Sequence, residues 1–84
     1  MFYTYIIESQ KDASQYVGLS EKPESRLKDH NRGKVKSTKF KIPWKLIYTE
    51  SFTNRIEARI KEKYLKSAAG RKFRKGLRAI SSVG

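Results

Sequence analysis

Between residues 15 and 33 the chain places a phenol, a guanidinium and its only imidazole close together. Tyr16 lies in the segment QYVGL, and Arg26 and His30 are separated by four residues. Because residues i and i+4 are neighbours on one face of a helix, Arg26 and His30 are expected side by side if this segment is helical. Side chains of these types bind anions and move protons. Catalysis would require that they converge with a carboxylate from elsewhere in the chain.

Two strands are predicted to precede and position this group. Residues 2–8 are aromatic and β-branched, and residues 15–19 form a second short run of the same kind. The polar residues between them predict a hairpin with a loop of several residues. Tyr5 and Tyr16 lie on one face of this hairpin only if odd positions pair with even positions. The sequence leaves that register open.

One helix is predicted between Ser20 and Gly33. The Ser20 hydroxyl can accept a hydrogen bond from a free N–H of the first turn, Pro23 is tolerated in that turn, and Gly33 suits the position that ends the helix. The basic residues 34–41 follow. We interpret them as a loop, because the residue before Pro43 is held extended.

A third strand and a second helix are predicted next. Alternation over residues 44–51 places Trp44, Leu46 and Tyr48 on one face of the strand. The second helix is expected over about residues 54–67, capped by Asn54 or its neighbour Thr53.

The second helix carries two lines of apolar residues. The first line is formed by Ile56, Ile60 and Tyr64. The second line is formed by Ala58, Glu62 and Leu65. Glu62 is therefore flanked by apolar positions instead of lying within the charged face.

A short third helix is predicted over residues 71–80, after a break at Gly70. Its apolar stripe consists of Phe73, Leu77 and Ile80, and its basic face of Arg71, Lys72, Arg74, Lys75 and Arg78. The full order is strand, strand, helix, strand, helix, helix. This order indicates an α+β fold, in which a three-stranded antiparallel sheet is flanked by helices.

Length and composition limit the class of protein. The 84 residues are expected to form a single domain over 1–84. The absence of cysteine excludes disulfides and thiolate metal sites and fits a reducing compartment, so a cytoplasmic location is expected. No apolar run approaches the roughly 20 residues needed to span a bilayer, and the N-terminus lacks the basic region of a signal peptide. No membrane partner is expected.

The charge of the chain favours a polyanionic partner. Lysine and arginine number 20 against 8 acidic residues, which gives a net charge of +12. Acidic residues outnumber basic ones before residue 26, so the positive charge lies in the remainder of the chain. Such a field attracts polyanions, of which nucleic acid is the commonest. A basic surface that serves only solubility is the alternative interpretation.

Taken together, these residues resemble the GIY-YIG nuclease superfamily, above all its small stand-alone members of the UPF0213 or excinuclease-subunit-like type. YTY at residues 3–5 stands where the family has GIY, and YVG at residues 16–18 stands where it has YIG. Arg26 follows the second motif by eight residues, and His30 follows Arg26 by four, as in the family pattern. The resemblance covers nearly the whole chain and implies the GIY-YIG fold.

The resemblance implies a metal-dependent DNA endonuclease that hydrolyses phosphodiester bonds, with a single Mg²⁺ or Mn²⁺ site. The implied catalytic residues are Tyr5, Tyr16, Arg26, His30 and Glu62. Arg26 would pair with phosphate oxygens, and Glu62 stands at the position of the family's metal-binding glutamate. Either tyrosine would position or deprotonate the attacking water, with His30 in the proton relay. The substrate class is expected to be branched or damaged DNA in repair, with a repair or helicase protein as a further partner.

Basic residues outside this group are expected to contact DNA. They are Lys34, Lys36, Lys39, Lys41, Arg71, Lys72, Arg74 and Lys75.

The sequence also departs from the family in three places. YTY lacks the glycine and isoleucine of the first motif. Leu19 stands where some family enzymes carry a lysine, and Arg74 stands where several have an asparagine. These departures favour two alternatives, a non-catalytic basic nucleic-acid-binding module and an interaction subunit whose partner carries the chemistry.

Overall fold

The fold is a three-stranded antiparallel sheet with helices on both faces. The computed structural model describes residues 1–83, and the side chains of residues 1–77. The elements in chain order are β1 (Phe2–Ser9), β2 (Gln15–Ser20), α1 (Pro23–Asn31), a 3-10 helix (Lys39–Lys41), β3 (Trp44–Phe52), α2 (Arg55–Lys66) and α3 (Ala68–Val83). The predicted α+β class and element order are confirmed. In the part of the chain that is described, no helix is long and apolar enough to cross a membrane.

The central strand of the sheet is β1, because the strand order is β2-β1-β3 and both pairings are antiparallel. Its middle residues are buried, among them Tyr5, Ile6 and Ile7. In the pairing with β2, Tyr5 lies opposite Gly18 and Ile7 lies opposite Tyr16. Odd positions therefore pair with even positions, and Tyr5 and Tyr16 share one face of the hairpin.

Each face of the sheet carries its own apolar cluster. The first cluster consists of Tyr5, Ile7 and Trp44. The second cluster consists of Ile6, Val17 and Leu65. Leu27 of α1 packs against the first cluster, whereas Leu77 of α3 packs against the second. Since Leu65 belongs to α2, helix α1 covers one face of the sheet, and α2 and α3 cover the other.

A β-bulge in β3 changes which side chains face α1. Consecutive residues of β1 pair with Leu46 and Tyr48, so Ile47 is the extra residue between them. Leu46 packs with Trp44 in the first cluster, but Tyr48 packs against the second cluster on the opposite face. The prediction that Trp44, Leu46 and Tyr48 share a face is therefore wrong for Tyr48, because one inserted residue reverses the alternation.

Helix α1 begins later than its predicted cap. Its first residue is Pro23, and Lys22 occupies the N-cap position without a side-chain cap. The Ser20 hydroxyl oxygen instead accepts a hydrogen bond from the Lys22 N–H at 3.0 Å, which turns the chain before the helix starts. The predicted helix end is confirmed, because Gly33 has a φ of 77° and its N–H bonds to the His30 carbonyl.

Helix α2 is capped as predicted, since the Asn54 side chain accepts a hydrogen bond from the Glu57 N–H at 2.9 Å. The line that packs against the sheet is the one formed by Ala58, Glu62 and Leu65; Ala58 and Leu65 are fully buried. The other line is exposed to solvent, with Ile56 at 73%, Ile60 at 63% and Tyr64 at 44%. Spacing alone did not distinguish the two lines, because both recur at helical intervals.

The junction between α2 and α3 lies at Ser67, so the predicted break at Gly70 and the predicted helix over 71–80 are wrong. Gly70 lies within α3, where a Cβ atom would come 2.1 Å from the Tyr64 carbonyl oxygen. The glycine is thus needed for close contact between the helices rather than for a break. Leu77 packs against the sheet as expected, whereas the side chains of Arg78 and Ile80 lie outside the described residues.

Candidate functional site

A buried phenol lies at the centre of the site. Tyr5 is 1% exposed, and its ring lies against Gly18 on the neighbouring strand. A Cβ atom at position 18 would lie 2.5 Å from the Tyr5 hydroxyl oxygen. This is far inside the distance of about 3.5 Å at which nonbonded heavy atoms pack. Position 18 must therefore be glycine for the Tyr5 hydroxyl to occupy this place.

His30 and Tyr16 converge on Tyr5. The hydroxyl oxygen of Tyr5 lies 3.1 Å from Nε2 of His30, which is within hydrogen-bonding distance. The Tyr16 ring centroid lies 5.0 Å from that of His30 and 6.4 Å from that of Tyr5. Tyr16 is half-buried, whereas Tyr5 and His30 are buried. Tyr16 is thus the member of this group that solvent reaches.

The segment after α1 holds His30 in position. Nδ1 of His30 lies 2.7 Å from Oγ1 of Thr38, and both side chains are buried. Nε1 of Trp44 donates a hydrogen bond to the Thr38 carbonyl at 2.9 Å. Asn31, the residue after His30, makes two hydrogen bonds with the backbone of Trp44. The imidazole is therefore fixed by contacts on both sides.

Thr38 and Asn31 contribute to the site although the sequence analysis did not predict it. Thr38 lies in the segment that was interpreted only as a basic loop, eight residues from His30 and in no helical or strand period with it. Asn31 ends α1, and its partner Trp44 begins β3. The one available signal was Thr38 itself, an uncharged β-branched residue within a run of lysines.

Arg26 lies one helical turn before His30 and borders the same group. Its guanidinium forms an ion pair with Asp29 at 3.7 Å, and its positive charge acts on Tyr5 and on His30. Its side chain is 42% exposed. Arg26 therefore lies close enough to influence the buried pair and remains accessible to an anion from solvent.

Burial decides the protonation of both central groups. Burial raises the pKa of Tyr5 to about 12, and the adjacent Tyr16 acts in the same direction, while Arg26 opposes it without offsetting it. Burial lowers the pKa of His30, and the Arg26 cation lowers it further against the opposing effect of Asp29. At neutral pH Tyr5 is thus a neutral phenol and His30 a neutral imidazole. The positive field was expected to lower the tyrosine pKa, and for Tyr5 the effect of burial is larger.

Glu62 approaches the group from the opposite side of the hairpin. It lies on α2, which packs against β1 and β2, and its side chain is 15% exposed. Its charge contributes to the raised pKa of Tyr5, so the carboxylate acts electrostatically on the phenol. Lys66 forms an ion pair with Glu62 at 3.0 Å. The structure thus brings Tyr5, Tyr16 and His30 together, whereas Arg26 and Glu62 act on Tyr5 through their charges.

The donor set at Glu62 fits one type of metal site. Among the residues that the structure describes, no three His, Cys, Asp or Glu side chains are grouped to hold a metal ion. Glu62 would then be a lone protein ligand. Mg²⁺ is commonly bound by one or two carboxylates, several waters and the phosphates of the substrate. The site fits such a shared ion, for which Lys66 would compete, and does not fit a metal held by protein ligands alone.

The eight cations that were predicted to contact DNA lie in three different environments. Lys34, Lys36 and Lys72 are exposed. Lys39 is also exposed, and its ammonium lies 5.0 Å from the Phe40 ring. Lys41, Arg71, Arg74 and Lys75 line one groove of about 410 Å³ beside the β1–β2 loop. The structure thus brings together four of the eight predicted cations.

Two cations of this groove, Lys41 and Arg74, are bonded to other parts of the protein. Nζ of Lys41 donates to Oγ of Ser14 at 2.9 Å and forms an ion pair with Asp12 at 3.4 Å. Arg74 is held by a larger set of hydrogen bonds. Its Nε donates to the Leu65 carbonyl at 2.9 Å, and its Nη1 donates to the Gln15 side chain at 3.3 Å. Gln15 in turn donates to the Arg74 carbonyl at 3.0 Å. Arg74 therefore ties α3 to β2 and α2. This position, where several family enzymes carry asparagine, has a structural role here.

A second groove does not coincide with the predicted site. It has a volume of about 540 Å³, lies at the start of α1, and is lined by residues such as Tyr3, Glu24 and Lys28. None of the five predicted catalytic residues lines it. A nucleic acid strand binds on an open surface rather than inside a pocket, so a nucleic-acid site at Tyr16 needs no deep cavity.

Similarity to known proteins agrees with this geometry. Residues 1–75 match the family model described as "GIY-YIG catalytic domain". A UPF0213 protein of Clostridium perfringens is 43% identical over 67 residues, which cover 79% of this chain and 71% of that protein. A UPF0213 protein of Bacillus licheniformis is 43% identical over 65 residues, or 76% of this chain and 66% of that protein. The chain thus spans about two thirds of the length of the second relative.

A solved structure gives the same family. The solution NMR structure of the UPF0213 protein BH0048 from Bacillus halodurans is 32% identical to this chain, with a TM-score of 0.54. The match covers 92% of this chain and 85% of that one. The motifs, the fold and these similarities lead to one conclusion: the chain belongs to the GIY-YIG family of nuclease domains, as a small UPF0213-like member.

Proposed function

We propose that this protein is a metal-dependent DNA endonuclease that hydrolyses phosphodiester bonds. The observation that carries the proposal is the contact between the Tyr5 hydroxyl and Nε2 of His30, with the charges of Arg26 and Glu62 acting on the same phenol. A buried phenol–imidazole pair beside a partly exposed guanidinium combines proton transfer with anion binding. Family membership supports a nuclease activity, and the net charge of +12 supports a nucleic acid substrate.

Arg26 would bind the phosphodiester that is cleaved. A phosphodiester is anionic and repels an incoming hydroxide, so its charge must be compensated as the bond to the attacking oxygen forms. A guanidinium can pair with two phosphate oxygens at once. The ion pair with Asp29 would orient Arg26 in advance, while the exposed part of its side chain remains open to the strand.

The two tyrosines would have different roles. Tyr16 is the phenol within reach of solvent, so it would position the attacking water. The proton of that water would pass to the Tyr5 oxygen while the Tyr5 proton passes to Nε2 of His30, 3.1 Å away. Tyr5 is a neutral phenol before and after this transfer. The relay therefore works with a Tyr5 pKa of about 12, which would prevent Tyr5 from acting as a preformed phenolate.

Glu62 would hold the divalent ion. A bound Mg²⁺ or Mn²⁺ would compensate the charge that develops on the phosphate and on the leaving oxygen. Because Glu62 is 15% exposed and lies against the hairpin, its carboxylate is oriented by packing. The single carboxylate leaves the remaining coordination positions to waters and substrate, as is common for Mg²⁺.

The groove lined by Lys41, Arg71 and Lys75 would bind the strand next to the cleavage site. It lies beside Gln15, which directly precedes Tyr16 in the chain. Contacts of this type are made to phosphates and carry no sequence information. We therefore propose that target choice depends on the shape of the DNA, with branched or damaged DNA as the substrate and DNA repair as the process.

The direct test is cleavage of branched and plain DNA by the purified protein in Mg²⁺ or Mn²⁺. Glu62→Gln is expected to abolish cleavage and to leave DNA binding in place, because it removes the charge that holds the metal. Glu57→Gln is the matched control, since Glu57 is an exposed residue of the same helix. The proposal fails if Glu62→Gln cleaves as fast as the wild-type protein.

A non-catalytic nucleic-acid-binding module is the second candidate. It is favoured by Leu19, which stands where some family enzymes carry a lysine and which pairs with Thr4 on the α2 side of the sheet. No cation from this position assists the tyrosines. This candidate predicts salt-sensitive DNA binding, no cleavage by the wild-type protein, and equal binding by Glu62→Gln and Glu57→Gln.

A further inference from the structure

We propose that Thr38 is a positioning residue that fixes the tautomer of His30, so that Nε2 is the bare nitrogen and accepts the Tyr5 proton. The inference starts from a chain of buried hydrogen bonds that runs from Tyr5 through His30 to Thr38. Its importance for cleavage rests on the proposed function, whereas the hydrogen-bond arrangement can be tested without it.

The direction of the bond between Tyr5 and His30 follows from the Tyr5 hydroxyl. This hydroxyl carries one proton and is buried, since Tyr5 is 1% exposed, so the proton needs an acceptor within the protein. In the described part of the chain, the partner of this hydroxyl is Nε2 of His30, at 3.1 Å. Nε2 therefore accepts and carries no proton.

The other ring nitrogen of His30 must then be the donor. A neutral imidazole carries one N–H, so a bare Nε2 requires the proton on Nδ1. Nδ1 lies 2.7 Å from Oγ1 of Thr38, which accepts this hydrogen bond. The Thr38 hydroxyl uses its own proton toward the Val35 carbonyl at 3.4 Å. With this arrangement the protons of Tyr5, His30 and Thr38 each have an acceptor.

The opposite direction of these hydrogen bonds would leave the Tyr5 proton without an acceptor. If Thr38 donated to Nδ1, then Nε2 would carry the proton and donate to the Tyr5 oxygen. The Tyr5 proton would then have no acceptor among the described residues, because His30 is the one hydrogen-bond partner of this hydroxyl there. Tyr5 is 1% exposed and His30 is 0% exposed, so in the protein without substrate solvent offers this proton little access to an acceptor. A buried donor without an acceptor is unfavourable, which favours the direction set by Thr38.

The test is the tautomer of His30 measured by ¹⁵N NMR. The chain has one histidine, so the imidazole nitrogens report a single residue. The wild-type protein is expected to show a protonated Nδ1 and a bare Nε2. Thr38→Ser keeps the hydroxyl and should give the same signals. Thr38→Val has nearly the same shape without an acceptor for Nδ1–H, and it should shift the population toward the Nε2–H tautomer.

Two results would overturn the proposal. One is a wild-type protein with the proton on Nε2, which decides the matter even if Thr38→Val does not fold. The other is a folded Thr38→Val variant with the wild-type tautomer. Thermal unfolding of each variant establishes which of them are folded.

The cleavage assay separates this proposal from the proposed function. Thr38→Val is expected to lower the cleavage rate by about 10–100-fold, as is typical when a residue that orients a functional histidine is lost, with Thr38→Ser close to wild type. A folded Thr38→Val with the shifted tautomer and full activity would contradict the role of Thr38 in catalysis. If the wild-type protein does not cleave DNA while its His30 has a bare Nε2, the proposed function fails and the tautomer assignment stands.

Discussion

A tyrosine with a pKa of about 12 is almost fully protonated at neutral pH, so Tyr5 cannot act as a standing base. The residue that resolves this problem is His30, because burial lowers its pKa and keeps it ready to accept a proton. The sequence predicted both residues from the family spacing. The sequence could not predict that burial raises the pKa of the phenol and lowers the pKa of the imidazole, because both effects depend on the packing around residues 5 and 30.

The lowered pKa of His30 has a consequence for stability. The unfolded chain accepts a proton at His30 near pH 6.5, whereas the folded protein accepts it only at lower pH. Between these two pKa values protons favour the unfolded state, so the contribution of neutral His30 is present above about pH 6.5 and is lost as pH falls through the folded-state pKa. The free energy of unfolding in urea should therefore decrease when the pH is lowered from about 7.5 to about 5.5.

His30→Gln is the control for this pH dependence. Glutamine has no titratable group, so the variant should lose the His30 part of the decrease while keeping that of the carboxylates. Equal decreases in the two proteins would show that the pKa of His30 is not lowered in the folded state.

At the scale of elements, the position of α2 determines where Glu62 lies relative to the other predicted catalytic residues. Ala58 is small and fully buried, and its carbonyl accepts a hydrogen bond from the Thr4 hydroxyl at 2.7 Å. This contact directs the line of Ala58, Glu62 and Leu65 to the hairpin. The sequence identified both apolar lines of the helix, but only the contact with Thr4 distinguishes them. The alternation of residues in β3 likewise did not predict the bulge at Ile47.

The two lines of α2 should respond differently to truncation. Leu65→Ala removes a fully buried side chain and is expected to cost about 2–5 kcal/mol of unfolding free energy. Ile60→Ala removes a side chain that is 63% exposed and should change stability by about 0.5 kcal/mol or less. Urea unfolding of both variants checks this. Similar losses would mean that the line of Ile56, Ile60 and Tyr64 is covered in the folded protein.

At the scale of the whole molecule, the predicted catalytic residues come from elements on both faces of the sheet. Tyr5 lies on the central strand and contacts His30 of α1 on one face, whereas Glu62 lies on α2 on the other face. The sequence predicted this set through the spacing of the family motifs. It could not reveal Thr38, because a loop residue is linked to its partner by tertiary structure alone. Nor could it show that Arg74 is held by Gln15 and the Leu65 carbonyl.

Part of the positive charge of the molecule is also concentrated in one groove. Lys41, Arg71 and Lys75 come from a loop and a helix and line one groove, which adjoins the β1–β2 hairpin that carries Tyr5 and Tyr16. A cluster of this kind raises the local concentration of a polyanion and weakens with added salt. The candidate site and the cationic groove therefore lie along the same hairpin, which is consistent with the proposed cleavage of a bound strand.

The central claim is that the Tyr5 hydroxyl links proton transfer to phosphate binding, and Tyr5→Phe tests it most directly. Phenylalanine keeps the ring against Gly18 and removes only the oxygen that bonds to His30 and lies in the field of Arg26. The matched control is Tyr48→Phe, which removes a hydroxyl bonded to Glu50 on the other side of the sheet. Single-turnover DNA cleavage should fall by about 10²–10⁴-fold in Tyr5→Phe and stay near wild type in Tyr48→Phe, with DNA binding unchanged in both. Cleavage by Tyr5→Phe at the wild-type rate would contradict the account.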